Sequence, residues 1–148
     1  MIKNNFFYIK NIKNVIIIGF HEKLNIIKKI CENKKLNFNV ITSSSQSKNI
    51  KKLKFKIFNT LNSKFKKYIT SNFDISETLF VSLGSRLIFK KKDLNNFFKN
   101  NVVNFHSTRL PFDSGGASTS WKIMKNDRID NQLVHLIDEG IDTGPILL

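Results

Sequence analysis

VIIIG, Val15 to Gly19, decides the fold. A strand wetted on one face alternates apolar and polar residues. Four apolar residues in succession, stopped by a glycine, suit a strand buried on both faces, as at the centre of a parallel sheet. Downstream, HEKLNIIKKICENKK places Leu24, Ile27 and either Cys31 or Ile30 at helical spacing, which predicts an amphipathic helix of about four turns. FNVIT, Phe38 to Thr42, reads as a second strand, and SSSQS after it as a loop. From Leu53, LKFKIFNT alternates apolar residues with lysine, the pattern of a strand with one wetter face. Asn62 to Ile69 reads as a helix with Ser63 as its cap.

The rhythm then repeats. TLFVSLG, Thr78 to Gly84, is a second apolar run ending in glycine. Asp93–Lys99 is a short helix, VVNFH (Val102–His106) a strand, and LPFDSGGAS a loop. Ser118–Lys125 is a helix with Trp121 and Met124 on one face, and QLVHLI (Gln132–Ile137) a strand. DEGIDTG (Asp138–Gly144) is an acidic loop, and PILL opens another strand. Strands alternating with helices imply an α/β fold with a mostly parallel sheet and helices on both faces.

The totals fit one domain of 148 residues, 41% of them hydrophobic. No run of about 18 apolar residues exists to span a membrane. The basic N-terminus, MIKNNFFYIKNIKN, has no apolar stretch followed by a small-residue cleavage site, so no signal peptide is expected. Cys31 is the sole cysteine; it excludes an internal disulfide and an all-cysteine metal cage, and the expected compartment is the cytoplasm. The net charge is +14. Residues 101–148 carry four basic and six acidic side chains, so the excess lies in the first hundred residues and is nearly all lysine. That excess reads first as a solvated surface, with steering of an anionic partner as the alternative. Lys51, Lys52, Lys54 and Lys56 read as the guard of an exposed edge strand.

Two stretches carry chemistry. Side chains alternate along a strand, so Asn104 and His106 share one face of VVNFH, about 6.6 Å apart. They stand at its carboxyl end, where ligands bind in open parallel sheets. The pair alone also fits a structural amide and a core imidazole. In DEGIDTG, three carboxylates fall within five residues between flexible glycines, and crowding is expected to raise the pKa of at least one. An ordinary acidic turn fits too; Asp142, deepest between the glycines, is the residue picked for chemistry. Amide, imidazole and carboxylate together suit acyl transfer to an amine. An amide N–H and a protonated imidazole stabilise an oxyanion, each such donor supplying about 2.7–4 kcal/mol. The carboxylate holds the imidazole charged and takes the proton leaving the amine.

NFHSTRLP, then GG, then DEGIDTGPIL, resembles the folate-dependent formyltransferases. The resemblance is specific over the last third of the chain and is one of rhythm alone over the first 75 residues. It implies a Rossmann-like catalytic domain and 10-formyltetrahydrofolate as formyl donor. It carries the family's catalytic residues onto Asn104, His106 and Asp142; the last two stand 36 positions apart. It implies a donor pocket at Leu83, Gly84, Arg86, Leu87, Ile88, Asp138, Glu139 and Gly140, and an acceptor side at Thr108, Gly115 and Gly116. The departures are Ser107 where the family has proline, Thr108 where it often has serine, and Arg109 where it has an apolar residue. Phe112–Gly115 lacks the family's basic residue, and FHEKL after Gly19 lacks its phosphate-binding glycines. These departures point away from the glycinamide ribonucleotide and methionyl-tRNA branches, and so toward a nucleotide-sugar amine as acceptor. The chain ends at Leu148, where the family continues, so a C-terminally truncated catalytic domain is expected.

His21, His106 and His135 are the only histidines, none at helical ligand spacing, and no metal is expected. His135 reads as structural, and Trp121 and the phenylalanines as core rather than base-stacking platforms. Two alternatives to an enzyme stay open: a formyltransferase-like relic without turnover, and a basic domain binding nucleic acid or another polyanion, which the sequence favours less. No feature sets an oligomeric state.

Overall fold

The computed structural model describes residues 11–129 and 131–147. Most of the basic N-terminal stretch, in which no signal peptide is expected, and the last residue of PILL lie outside that range. The strands are β1 (Asn14–Gly19), β2 (Asn37–Thr42), β3 (Lys56–Ile57), β4 (Thr78–Leu83), β5 (Val102–His106) and β6 (Leu133–Leu136). They form one sheet in the order β3-β2-β1-β4-β5-β6. All neighbours are parallel except β5 and β6, which run antiparallel. The helices are α1 (Leu24–Asn33), α2 (Ser44–Ser47), α3 (Ser63–Asn72), α4 (Lys91–Asn96) and α5 (Ser118–Met124). The α/β class, the mostly parallel sheet and the covering of both faces agree with the expectation.

β1 is central and buried along its whole length. Ile16 and Ile18 face one core, with Phe65, Phe80, Phe97 and Phe98. Val15 and Ile17 face the other, with Leu24, Cys31, Val40 and Leu136. The aromatic core is knit edge to face: Phe98 meets Phe80 and Phe97 with ring centroids 4.9 Å apart. Such pairs add about 0.5–1.5 kcal/mol each beyond the area they bury.

Several elements differ from the sequence reading. α1 has ten residues rather than about four turns. The His21 Nδ1 accepts from the Lys23 amide, which makes a turn of its first residues, and Lys35 takes a left-handed φ of 57° that ends the helix. Of the two alternatives at its apolar face, Cys31 is buried and Ile30 is 55% exposed. The strand expected from Leu53 shrinks to Lys56–Ile57, because only those two residues find partners, Ile41 and Thr42, at the sheet edge. The expected SSSQS loop holds the single turn α2. Asn62, not Ser63, caps α3: its side chain accepts from the Phe65 amide. α4 starts two residues earlier than expected. PILL contributes a single antiparallel bridge, Ile146 to His135, rather than a strand. Trp121 is 57% exposed and Phe112 86% exposed, so neither belongs to the core.

Candidate active site

From β1 the chain leaves toward β2 on one side, and it returns in β4 on the other. That reversal opens a crevice at the carboxyl ends of β1 and β4, the place where such sheets bind ligands. A cavity of about 1000 Å³ lies there, lined in part by His21, Ser82, Gly84, Asn104, His106 and His135. Its floor is a row of three strands in register: Ser82 on β4 stands beside Asn104 on β5, and Asn104 stands opposite His135 on β6.

The acidic loop delivers the third group. Leu136 N donates to Pro145 O, so the loop closes back on β6. A Cβ on Gly144 would lie 1.8 Å from the Leu136 carbonyl oxygen; only glycine permits that approach. Asp138 accepts from the Gly140 amide at 3.0 Å and the Thr143 hydroxyl at 2.7 Å. Glu139 pairs with Lys91 at 2.8 Å. Asp142, at a left-handed φ of 55°, turns into the cavity. The three carboxylates therefore face three different partners, and the mutual crowding expected of them is not realised.

Asp142 Oδ2 accepts from the Gly115 amide at 2.8 Å and lies 3.6 Å from His106 Nε2. Asp142 Oδ1 lies 3.5 Å from Asn104 Nδ2 and 3.6 Å from His135 Nε2. The His106 Nε2 is buried and makes no hydrogen bond. His135 Nδ1 lies 2.7 Å from the Leu136 carbonyl, which only accepts, so Nδ1 carries the proton. In the neutral ring Nε2 then accepts from Asn104 Nδ2, 3.1 Å away. The amide of Asn104 thus spends one N–H on His135 and points the other along the long contact to Asp142. Amide, imidazole and carboxylate converge, and His135 makes a fourth member that the sequence reading took as structural. The missed signal is a polar residue at an interior position of QLVHLI; its meaning depends on the antiparallel register that sets it opposite Asn104.

The remaining candidates divide. Leu83, Gly84, Leu87, Ile88, Asp138, Glu139 and Gly140 border the cavity, as do Gly115 and Gly116. The side chains of Leu83 and Leu87 are buried, so they can shape its wall only from within. Gln46 Nε2 donates to the Gly84 carbonyl at 2.7 Å and holds the rim. Arg86 instead lines a separate cleft with Lys66, Lys90 and Lys92, and reaches Ser45 at 3.4 Å. Thr108 is buried, its hydroxyl donating to the Asp113 carbonyl at 2.7 Å. Arg109 binds Asp113 at 3.0 Å and also Asp127, tying the loop after β5 to the end of α5. Hydrogen bonds from the Ile129 amide, then the charge of Arg109, hold the Asp127 carboxyl below the usual range.

An open sheet of this strand order, with an amide, an imidazole and an acid gathered past its carboxyl edge, is a Rossmann-like domain with a polar cluster at its crevice. Its fold is that of the glycinamide ribonucleotide transformylase 1 of Symbiobacterium toebii: TM-score 0.68 at 15% identity, over 93% of this chain and 71% of that one. A formyltetrahydrofolate deformylase from Pseudomonas syringae pv. tomato superimposes with TM-score 0.69 at 13% identity, over 93% of this chain and 50% of that one. In sequence, the methionyl-tRNA formyltransferase of Thermodesulfovibrio yellowstonii is 37% identical over 57 residues, 38% of this chain and 18% of the relative. The cytosolic 10-formyltetrahydrofolate dehydrogenase of Xenopus laevis is 36% identical over 50 residues, 34% of this chain and 6% of the relative. No protein-family model matches the chain. Over that segment the sequence is similar to methionyl-tRNA formyltransferases, a match that spans less than a fifth of those curated relatives, and over nearly its whole length the chain shares the fold of the solved structures. Among the described residues no helix is long and apolar enough to cross a membrane.

Proposed function

We propose that the chain transfers a formyl group from 10-formyltetrahydrofolate to a primary amine. The observation that carries this reading is the meeting of Asn104, His106 and Asp142 at the floor of the crevice, with no other acyl-transfer machinery needed. The amine nitrogen attacks the formyl carbon, and the carbonyl oxygen becomes an oxyanion. The loosely held N–H of Asn104 and a protonated His106 stabilise that oxygen. Asp142 favours the charged imidazole and takes the amine proton through water. Collapse breaks the bond to N10 of the folate, which leaves with a proton from His106. The donor lies along Gly84, Leu87, Ile88 and Asp138–Gly140, and the acceptor enters past Gly115 and Gly116.

For the acceptor we retain a nucleotide-sugar amine. Support comes from the loop after β5, where Arg109 is tied up by Asp113 and Asp127 and no free base follows before Gly115. The test is incubation with 10-formyltetrahydrofolate and a panel of amines: a nucleotide amino sugar, glycinamide ribonucleotide and aminoacylated initiator tRNA. Mass spectrometry should find one formylated product, on the sugar. Formylation of another amine corrects the acceptor alone. Donor binding with no product from any amine overturns the enzyme and leaves a folate-binding relic.

A further inference from the structure

His135 contributes more to the site than a brace for Asn104. His106, His135 and Asp142 each present one ligand atom, and the three atoms lie within 4.8 Å of one another. The two histidine–aspartate separations are both 3.6 Å. A tetrahedral zinc ion with ligands at about 2.0–2.1 Å spaces them roughly 3.3 Å apart; each imidazole is within tenths of an ångström of that spacing from its own carboxylate oxygen, His106 from Oδ2 and His135 from Oδ1. From this geometry we infer that the floor of the cavity takes a further, unassigned ligand: His106 Nε2, His135 Nε2 and the Asp142 carboxylate bind a zinc-class divalent cation.

Three observations point the same way. First, the His106 Nε2 is buried without a hydrogen bond, a state that costs free energy unless something fills it. Second, the His135 Nδ1–H donates to the Leu136 carbonyl, which is the bond that metal-binding histidines use to fix the ring and leave the opposite nitrogen as a lone pair. Third, the side chains of His106 and Asp142 keep 14% and 16% of their surface open, and both residues, with His135, line the cavity. Two imidazoles with one carboxylate suit zinc, cobalt or nickel over magnesium or calcium, which prefer oxygen.

Binding requires Asn104 Nδ2 to release the His135 lone pair that it now occupies at 3.1 Å. The ion and the formyl oxygen thus compete for the same corner, and a bound ion blocks formyl transfer. The inference stands on the cluster's geometry and does not depend on the proposed activity.

The probe is Co2+ added to the full chain, followed by visible absorption. One equivalent should produce the intense bands of a four- or five-coordinate cobalt ion, removed by one equivalent of Zn2+ and untouched by excess Mg2+. His135→Asn and Asp142→Asn should each weaken binding at least about tenfold. Asn104→Ala removes the competitor and should bind cobalt as tightly as the native chain or more so, whatever it does to turnover. To avoid reliance on folded variants, ring-nitrogen NMR of the native protein with Zn2+ should move the Nε2 signals of His106 and His135 and leave His21 in place. Absence of the bands, cobalt binding unchanged in His135→Asn, or a shift at His21 alone would each overturn the inference.

Discussion

The central strands and the β5–β6 edge are built by opposite rules. β1 and β4 are buried almost throughout and, past the hydrogen-bonded Asn14 and Thr78 at their starts, carry apolar or small residues. Any residue of the right volume and polarity serves there, because the requirement is packing. At β5–β6 the register sets Asn104 against His135, and the polar atoms of that pair meet defined partners at 2.7–3.5 Å. The scaffold tolerates drift, here toward lysine, isoleucine and phenylalanine, while the edge depends on specific side chains.

If the contrast is correct, variants at the edge lose rate and keep their fold, and variants at the centre do the reverse. The largest effect is expected from Asp142→Asn. Asparagine accepts a left-handed φ readily, and its oxygen can still take the Gly115 amide, so charge is what changes. Steady-state kinetics should show a loss of about a hundred- to a thousandfold or more in kcat, with donor affinity and the thermal midpoint nearly unchanged. A similar fall in melting temperature would break the contrast.

Phe98→Ala tests the other pole. Phe98 is fully buried and packs against Phe65, Phe80, Phe89 and Phe97. Chemical denaturation should show a loss of about 3–5 kcal/mol, with kcat near normal below the transition. Asn62→Ala removes the cap of α3 and should cost about 1 kcal/mol in the same assay, again with no change in rate.

The mildest prediction concerns pH. Asp127 is held below its ordinary value of 3.8, so its contribution to folding is complete above about that pH and is lost as the pH falls through the lower folded value. The native chain should therefore lose stability below about pH 4 more steeply than Asp127→Asn. Equal acid profiles would show that the tie from Arg109 to Asp127 carries no stability.

Much of this was readable from residues alone, for physical reasons. VIIIG and TLFVSLG have no polar alternative to a doubly buried strand, and the structure has β1 and β4 there. Asn104, His106 and Asp142 were legible because a strand's alternation and a glycine-flanked loop constrain where side chains point. LKFKIFNT misled because alternation signals a strand only where a neighbour pairs with it, and of this stretch only Lys56 and Ile57 pair with β2. His135 was read as structural because its importance lies in its partner across the sheet, which no local pattern reveals. Trp121 was read as core because hydrophobic spacing identifies a face, but not whether anything covers it.

The backbone contact at Gly144 limits how this pocket can be altered. With its Cβ position already taken by the Leu136 carbonyl, the acidic hairpin cannot be widened, lengthened by bulk or pushed outward from that hinge without detaching its acid from the sheet. Any redesign toward a larger or smaller guest must therefore be made on the opposite bank, at residues 112–116, where Phe112 is largely exposed and Gly116 has open space around it.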